Sequence, residues 1–256
     1  MAKFYTLVNQ KGGVGKTTST VNLGAYLAEY GKNVLVVDAD SQANLTSSLG
    51  FDKRADRPSV YDVLVDGVSV RDVILPTAHK LLHLVPSAPS LAGAEVEVLD
   101  RPNREKLLSV ALAQIDGEYD IVLMDSPPSL GILTVNALTA ASDGVLIPIQ
   151  CEYLALEGLS QLMQTLRLVR ERLNPRLRIF GLLMTMFDPR TNLSQQVVDD
   201  VRQHYPKLIF RTVIPRSVRV SEAPSYGQSI VHYAPKSSGS LAYEALAQEF
   251  LARGGA

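Results

Sequence analysis

Cysteine is almost absent from this chain, because Cys151 is the only one among 256 residues. A single cysteine excludes a disulfide framework and a multi-cysteine metal site within one chain. Long apolar runs are also missing: no stretch approaches the roughly 20 residues that a membrane-spanning helix needs, and no signal peptide is visible. We therefore expect a protein of the reducing cytoplasm with no membrane partner.

The net charge is close to zero, at −1, but its distribution is uneven. Residues 1–150 hold 12 basic and 17 acidic residues, whereas residues 151–256 hold 13 and 9. A basic C-terminal part is compatible with a polyanionic partner and equally with ordinary surface variation. The hydrophobic content of 46% indicates a globular protein. Since no break in composition marks a second domain, we predict one domain over residues 1–256.

Strand-like and helix-like segments alternate along the whole chain. This order predicts an α/β fold with a mostly parallel, twisted β-sheet and helices on both faces. The predicted strands cover residues 4–8, 34–37, 81–85, 120–124, 144–149 and 179–186. The predicted helices cover residues 18–30, 104–115, 130–141, 156–173, 193–205 and 240–251. The more polar segment 50–76 is expected to form short helices and loops at the edge of the domain.

A glycine-rich loop lies between the first predicted strand and the first predicted helix, which is the context that a phosphate-binding loop requires. The standard pattern has a glycine where this chain has Gln10, so the loop fits a deviant form with a second lysine at its start. Glycines let backbone N–H groups close around phosphate oxygens, Lys16 supplies a charge to the β- and γ-phosphates, and the Thr17 hydroxyl is placed to bind Mg²⁺. The loop residues are Lys11, Gly12, Gly13, Val14, Gly15, Lys16, Thr17 and Thr18.

Two acidic motifs follow predicted core strands. Asp38 and Asp40 come after the strand at 34–37, and carboxylates at that end of a parallel strand face the ligand crevice. Asp125 follows the apolar residues 121–124, which is the Walker B pattern. We expect Asp125 to hold Mg²⁺ near Thr17, directly or through water.

A lysine at position 11 is the mark of the deviant Walker A ATPases, and at this point the chain resembles the ParA/Soj group of chromosome- and plasmid-partitioning ATPases. The resemblance continues almost to the C-terminus, through residues 125–128 and 214–225. It implies that Lys11 reaches across an ATP-bound homodimer to the partner's ATP, with Gly12 where the subunits approach most closely. It also implies that Asp40 orients the attacking water and that Pro215 packs on the adenine.

Met186 ends a predicted core strand, and we assign it either to the base pocket or to core packing. The resemblance further implies nonspecific binding of double-stranded DNA by the ATP dimer, with Arg190 and Arg219 as candidate contacts. Arginines on phosphates give affinity without sequence preference, and that affinity falls steeply with salt. A ParB-type protein would accelerate hydrolysis, and the protein would be cytoplasmic and nucleoid-associated.

Two alternatives remain open: an ATPase of the same fold that positions a protein or membrane cargo without DNA, and a metabolic enzyme such as a dethiobiotin-synthetase-like ligase. The residues predict a packed terminal helix rather than the membrane anchor of a MinD-type ATPase, and they argue against an iron–sulfur relative. MinD-type membrane ATPases end in a basic amphipathic helix, whereas residues 241–251 contain two glutamates and no basic residue. Iron–sulfur relatives need interface cysteines, and Cys151 stands alone outside any Cys-x-x-Cys motif.

Overall fold

A computed structural model describes residues 1–153 and 155–255, and these residues form one eight-stranded β-sheet. The order across the sheet is β3-β4-β2-β5-β1-β6-β7-β8, and every pairing is parallel except that of β3 with β4. The mostly parallel sheet predicted from the sequence is therefore confirmed. The strands are β1 Lys3–Leu7, β2 Val34–Asp38, β3 Leu75–Pro76, β4 Leu82–Val85, β5 Ile121–Asp125, β6 Gly144–Gln150, β7 Ile179–Phe187 and β8 Ile209–Pro215.

Helices connect the strands and cover both faces of the sheet. Those predicted at 18–30, 130–141, 156–173, 193–205 and 240–251 are confirmed with small shifts at their ends. The helices of the described chain are α1 Lys16–Glu29, α2 Asn44–Ser48, α3 Val70–Val73, α4 Leu91–Glu97, α5 Leu107–Leu112, α6 Ile132–Ala140, α7 Ala155–Arg172, α8 Asn192–His204, α9 Val218–Glu222, α10 Ile230–Tyr233 and α11 Ser238–Ala252.

Alternate residues of each core strand enter opposite hydrophobic cores, because side chains of a strand point to the two faces in turn. In β5, Ile121 and Leu123 pack on the face that α1 and α11 cover. Val122 and Met124 pack on the other face, which α5, α6 and α7 cover. Strands buried on both faces give the continuous apolar runs from which they were predicted.

The helical segment predicted at 104–115 is confirmed in extent, but only its middle is α-helical, because α5 lies between two 3₁₀ turns. The Asn136 side chain interrupts the backbone pattern. Its amide oxygen accepts a hydrogen bond from the Leu108 N–H, and its amide nitrogen donates to the Arg104 carbonyl. A side chain inserted into the hydrogen-bond ladder breaks a helix in this way.

Residues 214–225, which carry part of the resemblance, contain regular structure. The first of them complete β8, an edge strand that the sequence analysis missed, and α9 follows after two residues. The strand β8 pairs on one side only, with β7, and its residue Arg211 is exposed. The run of apolar residues that marks a buried strand is therefore interrupted in β8. No helix in the described part of the chain is long and apolar enough to cross a membrane.

Strand β1 lies between β5 and β6, and the chain proceeds from it toward both sides of the sheet. Asp125 at the end of β5 lies beside Leu7 of β1 and beside Asp38 of β2. The loops that follow these strands therefore meet at one edge. This is the position in which open α/β sheets bind ligands.

Asp38 anchors one of these loops from inside. Both the backbone N–H and the hydroxyl of Thr46 donate to Asp38 Oδ2, at 2.8 and 2.7 Å. The same hydroxyl accepts from the Ser87 N–H at 2.9 Å. Burial raises the pKa of Asp38 to about 6, and the hydrogen bonds from Thr46 oppose that shift. Asp38 thus holds the first turn of α2 in place.

We expect Thr46→Val to destabilise the fold by about 2–3 kcal/mol, because it leaves a buried carboxylate and a buried N–H each short of a partner. The measurement is the free energy of unfolding in urea. Thr139→Val is the matched control: within the described residues that hydroxyl bonds only the Val135 carbonyl of its own helix, at 2.8 Å, and its loss should cost less than about 0.5 kcal/mol. Equal losses in the two variants would contradict the anchoring role.

Candidate functional site

The loop between β1 and α1 has a backbone that requires glycine at two positions. Gly13 and Gly15 have φ values of 75° and 88°, in the left-handed region that residues with a Cβ rarely adopt. Asn9 fixes the start of the loop, because its amide donates to the Pro148 carbonyl at 2.7 Å and its Oδ1 accepts from the Lys11 N–H at 3.0 Å. The result is a rigid loop at the amino end of α1, where the helix dipole favours anions.

Lys16 lies inside this loop and is only 7% exposed. Its ammonium group donates to the backbone carbonyls of Asn9 and Lys11, at 3.1 and 3.3 Å. Burial lowers the pKa of Lys16, while the carboxylates of Asp125 and Asp40 oppose that shift. An anionic acceptor would add Coulombic attraction that the neutral carbonyls do not give this charged donor.

Thr17 and Asp125 form a pair of oxygen ligands beneath the loop. The Thr17 hydroxyl donates to Asp125 Oδ2 at 2.6 Å, and Asp125 Oδ1 is buried without a hydrogen-bond partner in the described chain. Burial and the neighbouring Asp38 raise the pKa of Asp125. A dication there would favour the charged carboxylate, and hydroxyl and carboxylate oxygens are the ligands that Mg²⁺ prefers. These residues therefore fit a magnesium ion.

A cleft of about 660 Å³ opens above the loop, within the usual size of a small-molecule site. A smaller cavity of about 170 Å³ shares four of its lining residues and extends the space toward β8. The predicted residues that line the main cleft are Gly12, Gly13, Gly15, Lys16, Thr17, Thr18, Asp40 and Met186. Pro215 lines the smaller cavity together with Met186, the second-to-last residue of β7, which has a left-handed conformation with φ 54°.

Two predicted loop residues do not line the cleft. Val14 is buried, and its carbonyl accepts a hydrogen bond from the Thr185 hydroxyl at 2.9 Å, so its side chain packs inward. Lys11 projects to the surface, where its Nζ lies 2.6 Å from Glu152 Oε2. The side chains of Lys11 and Glu152 are each about half exposed, and an exposed ion pair of this kind contributes only about 0–1 kcal/mol to stability. Lys11 can therefore exchange Glu152 for another anion at little cost.

Gly12 differs from the other glycines of the loop. Its φ is not in the left-handed region, and an added Cβ would meet nothing within 4 Å in the described chain. A side chain at this position would therefore point into open space in the described chain.

The sequence analysis missed several residues that line the cleft. Gln42 lies two residues after Asp40, and the polar residues of 221–225 belong to the motif at 214–225. Both therefore stood beside recognised motifs, but neither was assigned to the cleft. Residues of α2 had no such signal, because a short polar helix shows no distinguishing pattern. The missed lining residues are Gln42, Asn44, Ser47, Ser48, Ser221, Pro224 and Ser225, and Pro128 of the motif at 125–128 also lines the cleft.

The two candidate arginines lie outside the cleft, after neighbouring strand ends. Arg190 follows β7 and Arg219 follows β8, whose last residues pair in the sheet. Each guanidinium binds a carboxylate of its own segment: Arg190 contacts Asp188 at 2.6 Å, and Arg219 contacts Glu222 at 3.1 Å. The hydrogen bonds from Arg190 lower the pKa of Asp188 to about 2. The arginine side chains remain 83% and 62% exposed, so both are accessible to a partner.

Comparison with known proteins gives consistent matches. A family model described as "AAA domain" matches residues 2–179. The sporulation initiation inhibitor protein Soj of Bacillus subtilis is 52% identical over 254 residues, which cover 99% of this chain and 100% of Soj. The chromosome partitioning protein ParA of Myxococcus xanthus is 47% identical over 253 residues, covering 99% of this chain and 89% of ParA.

The fold also matches solved structures. The crystal structure of cobyrinic acid a,c-diamide synthase from Mycobacterium smegmatis, with a bound ATP analog and magnesium, superposes with a TM-score of 0.88. It is 39% identical to this chain, and the match covers 100% of this chain and 97% of the other.

The loop geometry predicts that Lys16→Ala weakens binding of MgATP by roughly 30- to 150-fold. That factor corresponds to the loss of one charged hydrogen bond, about 2–3 kcal/mol. Isothermal titration calorimetry with a nonhydrolysable ATP analogue measures the change. Lys80→Ala, at an exposed lysine, is the control and should bind as the parent does. Unchanged affinity in Lys16→Ala would mean that the phosphates bind elsewhere.

Proposed function

Since the chain belongs to the Soj/ParA family of chromosome-partitioning ATPases, we propose that it segregates DNA through an ATP-controlled cycle of dimerisation and DNA binding. Two copies close over two ATP molecules, and the closed dimer binds double-stranded DNA without sequence preference. Hydrolysis opens the dimer and releases the DNA. The chain acts as one domain over residues 1–256 in this cycle.

The position of Lys11 is the observation that carries this proposal. Lys11 stands at the start of the phosphate loop but outside the cleft of its own chain, and only a weak surface ion pair holds it there. A phosphate in a partner's cleft would be a stronger counter-ion than one exposed carboxylate. The open space at Gly12 supports the same arrangement, because a second chain could approach the backbone closely there.

The reaction is attack of water on the γ-phosphorus of ATP, which forms a new P–O bond and breaks the bond to the β-phosphate oxygen. Asp40 lies in the cleft and is nearly buried, and its Oδ1 accepts a hydrogen bond from the Gln42 N–H at 3.0 Å. That bond fixes the carboxylate so that it can orient the water. Lys16 donates to the phosphate oxygens as negative charge moves onto them. Thr17 and Asp125 would hold Mg²⁺, which would supply positive charge to offset that of the triphosphate.

Loss of the γ-phosphate removes the anion that both subunits share, so the two-state assembly shifts toward the open form. In the closed form, Arg190 and Arg219 would exchange their own carboxylates for DNA phosphates. A ParB-type protein would accelerate hydrolysis, and DNA binding would keep the protein on the nucleoid in the cytoplasm.

A metabolic enzyme is the second candidate, because the similar crystal structure is named a cobyrinic acid a,c-diamide synthase. Hydrolysis that requires a small-molecule acceptor would support it. The higher identity to Soj, over the full length of both chains, favours partition. The third possibility, a positioning ATPase that works without DNA, predicts dimerisation with ATP and no retention on DNA.

Co-sedimentation with nonspecific DNA, in ATP, in ADP and without nucleotide, tests the cycle directly. We expect the protein to be retained on DNA with ATP but not with ADP or without nucleotide. Retention should fall steeply between about 50 and 200 mM salt, since phosphate contacts release counterions. Equal retention in all three nucleotide states would contradict the coupling of ATP to DNA.

Asp40→Ala should lower the hydrolysis rate by roughly 100-fold or more, the usual contribution of one acid–base group, and leave ATP affinity nearly unchanged. The ATP dimer should then persist, as measured by light scattering after size exclusion, and stay on DNA. The control is Asp56→Ala, at an exposed acid away from the cleft. If Asp40→Ala hydrolyses ATP at the parent rate, another residue orients the water.

Arg219→Glu should weaken DNA retention at least tenfold at low salt while ATP-driven dimerisation is retained. Arg202→Glu is a close match, because Arg202 is also exposed and also pairs with an acid three residues away, Asp199 at 3.5 Å. Arg202 lies on α8, away from the strand ends that form the cleft. The Arg202→Glu substitution changes the charge by the same amount as Arg219→Glu. A similar loss in both variants would indicate a general charge effect and remove Arg219 from the DNA contact.

A further inference from the structure

Three side chains from distant parts of the chain meet at the far end of α1. Glu29 is the last residue of that helix, His79 precedes β4, and His232 lies in α10. One ligand atom of each, a carboxylate oxygen or an imidazole nitrogen, lies within 4.8 Å of the others. The proposed ATP cycle uses none of these residues.

His79 is the most informative member of this cluster. It is 5% exposed, and its Nε2 lies 2.9 Å from the hydroxyl of the buried Ser229. Its Nδ1 is also buried, and it has no hydrogen-bond partner among residues 1–153 and 155–255. Buried imidazole nitrogens are nearly always partnered, so an open one calls for an explanation. A metal-binding histidine has this arrangement, with one nitrogen on a neighbouring acceptor and the other facing the ion.

The distances also suit a metal ion. Glu29 Oε1 lies 3.5 Å from His79 Nδ1 and 3.6 Å from His232 Nε2. Two ligands at the usual 2.0–2.1 Å from a tetrahedral zinc ion are about 3.3 Å apart. The two imidazole rings stack with their centroids 3.9 Å apart and their planes 14° apart, so a shared ion requires one ring to turn. His232 and Glu29 are both about half exposed, which leaves them free to adjust.

We propose that Glu29, His79 and His232 bind one divalent transition-metal ion, with Zn²⁺ as the best match. Two imidazoles and a carboxylate form a common zinc ligand set, and water would complete the tetrahedron. Mg²⁺ is a poor competitor at this site, because it prefers oxygen ligands and imidazole suits zinc.

The ion would act as a structural link. The fourteen residues of α1 run from Lys16 of the phosphate loop to Glu29 of the cluster, which corresponds to about 20 Å along the helix. The link would join the end of α1 to α10, whose Tyr233 binds Glu222 of α9 at 3.1 Å. It would therefore stabilise the folded chain without entering the chemistry of ATP.

Zinc titration of the full chain, with any polyhistidine tag removed and metals stripped by chelator, tests the site. Isothermal titration calorimetry should show one Zn²⁺ per chain, and Zn²⁺ should raise the melting temperature by mass action while Mg²⁺ without nucleotide does not. ATP-analogue affinity should be the same with and without Zn²⁺. The absence of saturable Zn²⁺ binding would overturn the proposal, and the cluster would then be an ordinary contact between histidines and a carboxylate.

Variants at the two half-exposed ligands keep the test free of folding defects. His232→Gln and Glu29→Gln should each weaken Zn²⁺ binding at least tenfold and abolish the shift in melting temperature. His204→Gln is the control, because that exposed histidine binds only the Asp200 carbonyl, at 2.7 Å, among the described residues. Equal Zn²⁺ affinity in all three variants would place the ion elsewhere and overturn the assignment.

Discussion

A lysine buried at the start of α1 is the constraint on which the rest of this structure depends. Charged groups are costly to bury unless they are paired, and Lys16 sits in the loop with carbonyls as its hydrogen-bond partners and two carboxylates nearby. The glycine conformations, the Asn9 anchor and the order of the strands all serve to hold that cation at one edge of the sheet. An anion that enters the cleft completes an arrangement that the fold has already prepared.

The two lysines of the loop differ by their environment rather than by their chemistry. Lys16 is buried and fixed, so it serves the cleft of its own chain. Lys11 is exposed and held by one surface ion pair, so a partner's phosphate can capture it at little cost. A switch needs both kinds of residue: one that binds ligand in every state and one whose contact exists only in the assembled state. The same loop therefore supports both nucleotide binding and the proposed dimer.

Prediction from the sequence succeeded where the signal is local. The core strands were found because continuous apolar runs mark strands buried on both faces, and most helices were found from their periodicity. It did not show the 3₁₀ turn at the start of 104–115, where Asn136 from another helix takes the backbone hydrogen bonds. It missed β8, because an edge strand keeps only part of the apolar pattern. In both places a contact from elsewhere in the chain decides the outcome.

By itself, the sequence determined the phosphate loop, the acids after β2 and β5, and the resemblance to partition ATPases, because each is a run of neighbouring residues with its own chemistry. Only the tertiary structure decided that Lys11 pairs with Glu152 outside the cleft, that residues of 221–225 line the cleft, and that Glu29 lies beside two histidines. These juxtapositions depend on how helices and strands pack. Packing joins residues that are up to about 200 positions apart, at which separation no local pattern carries information.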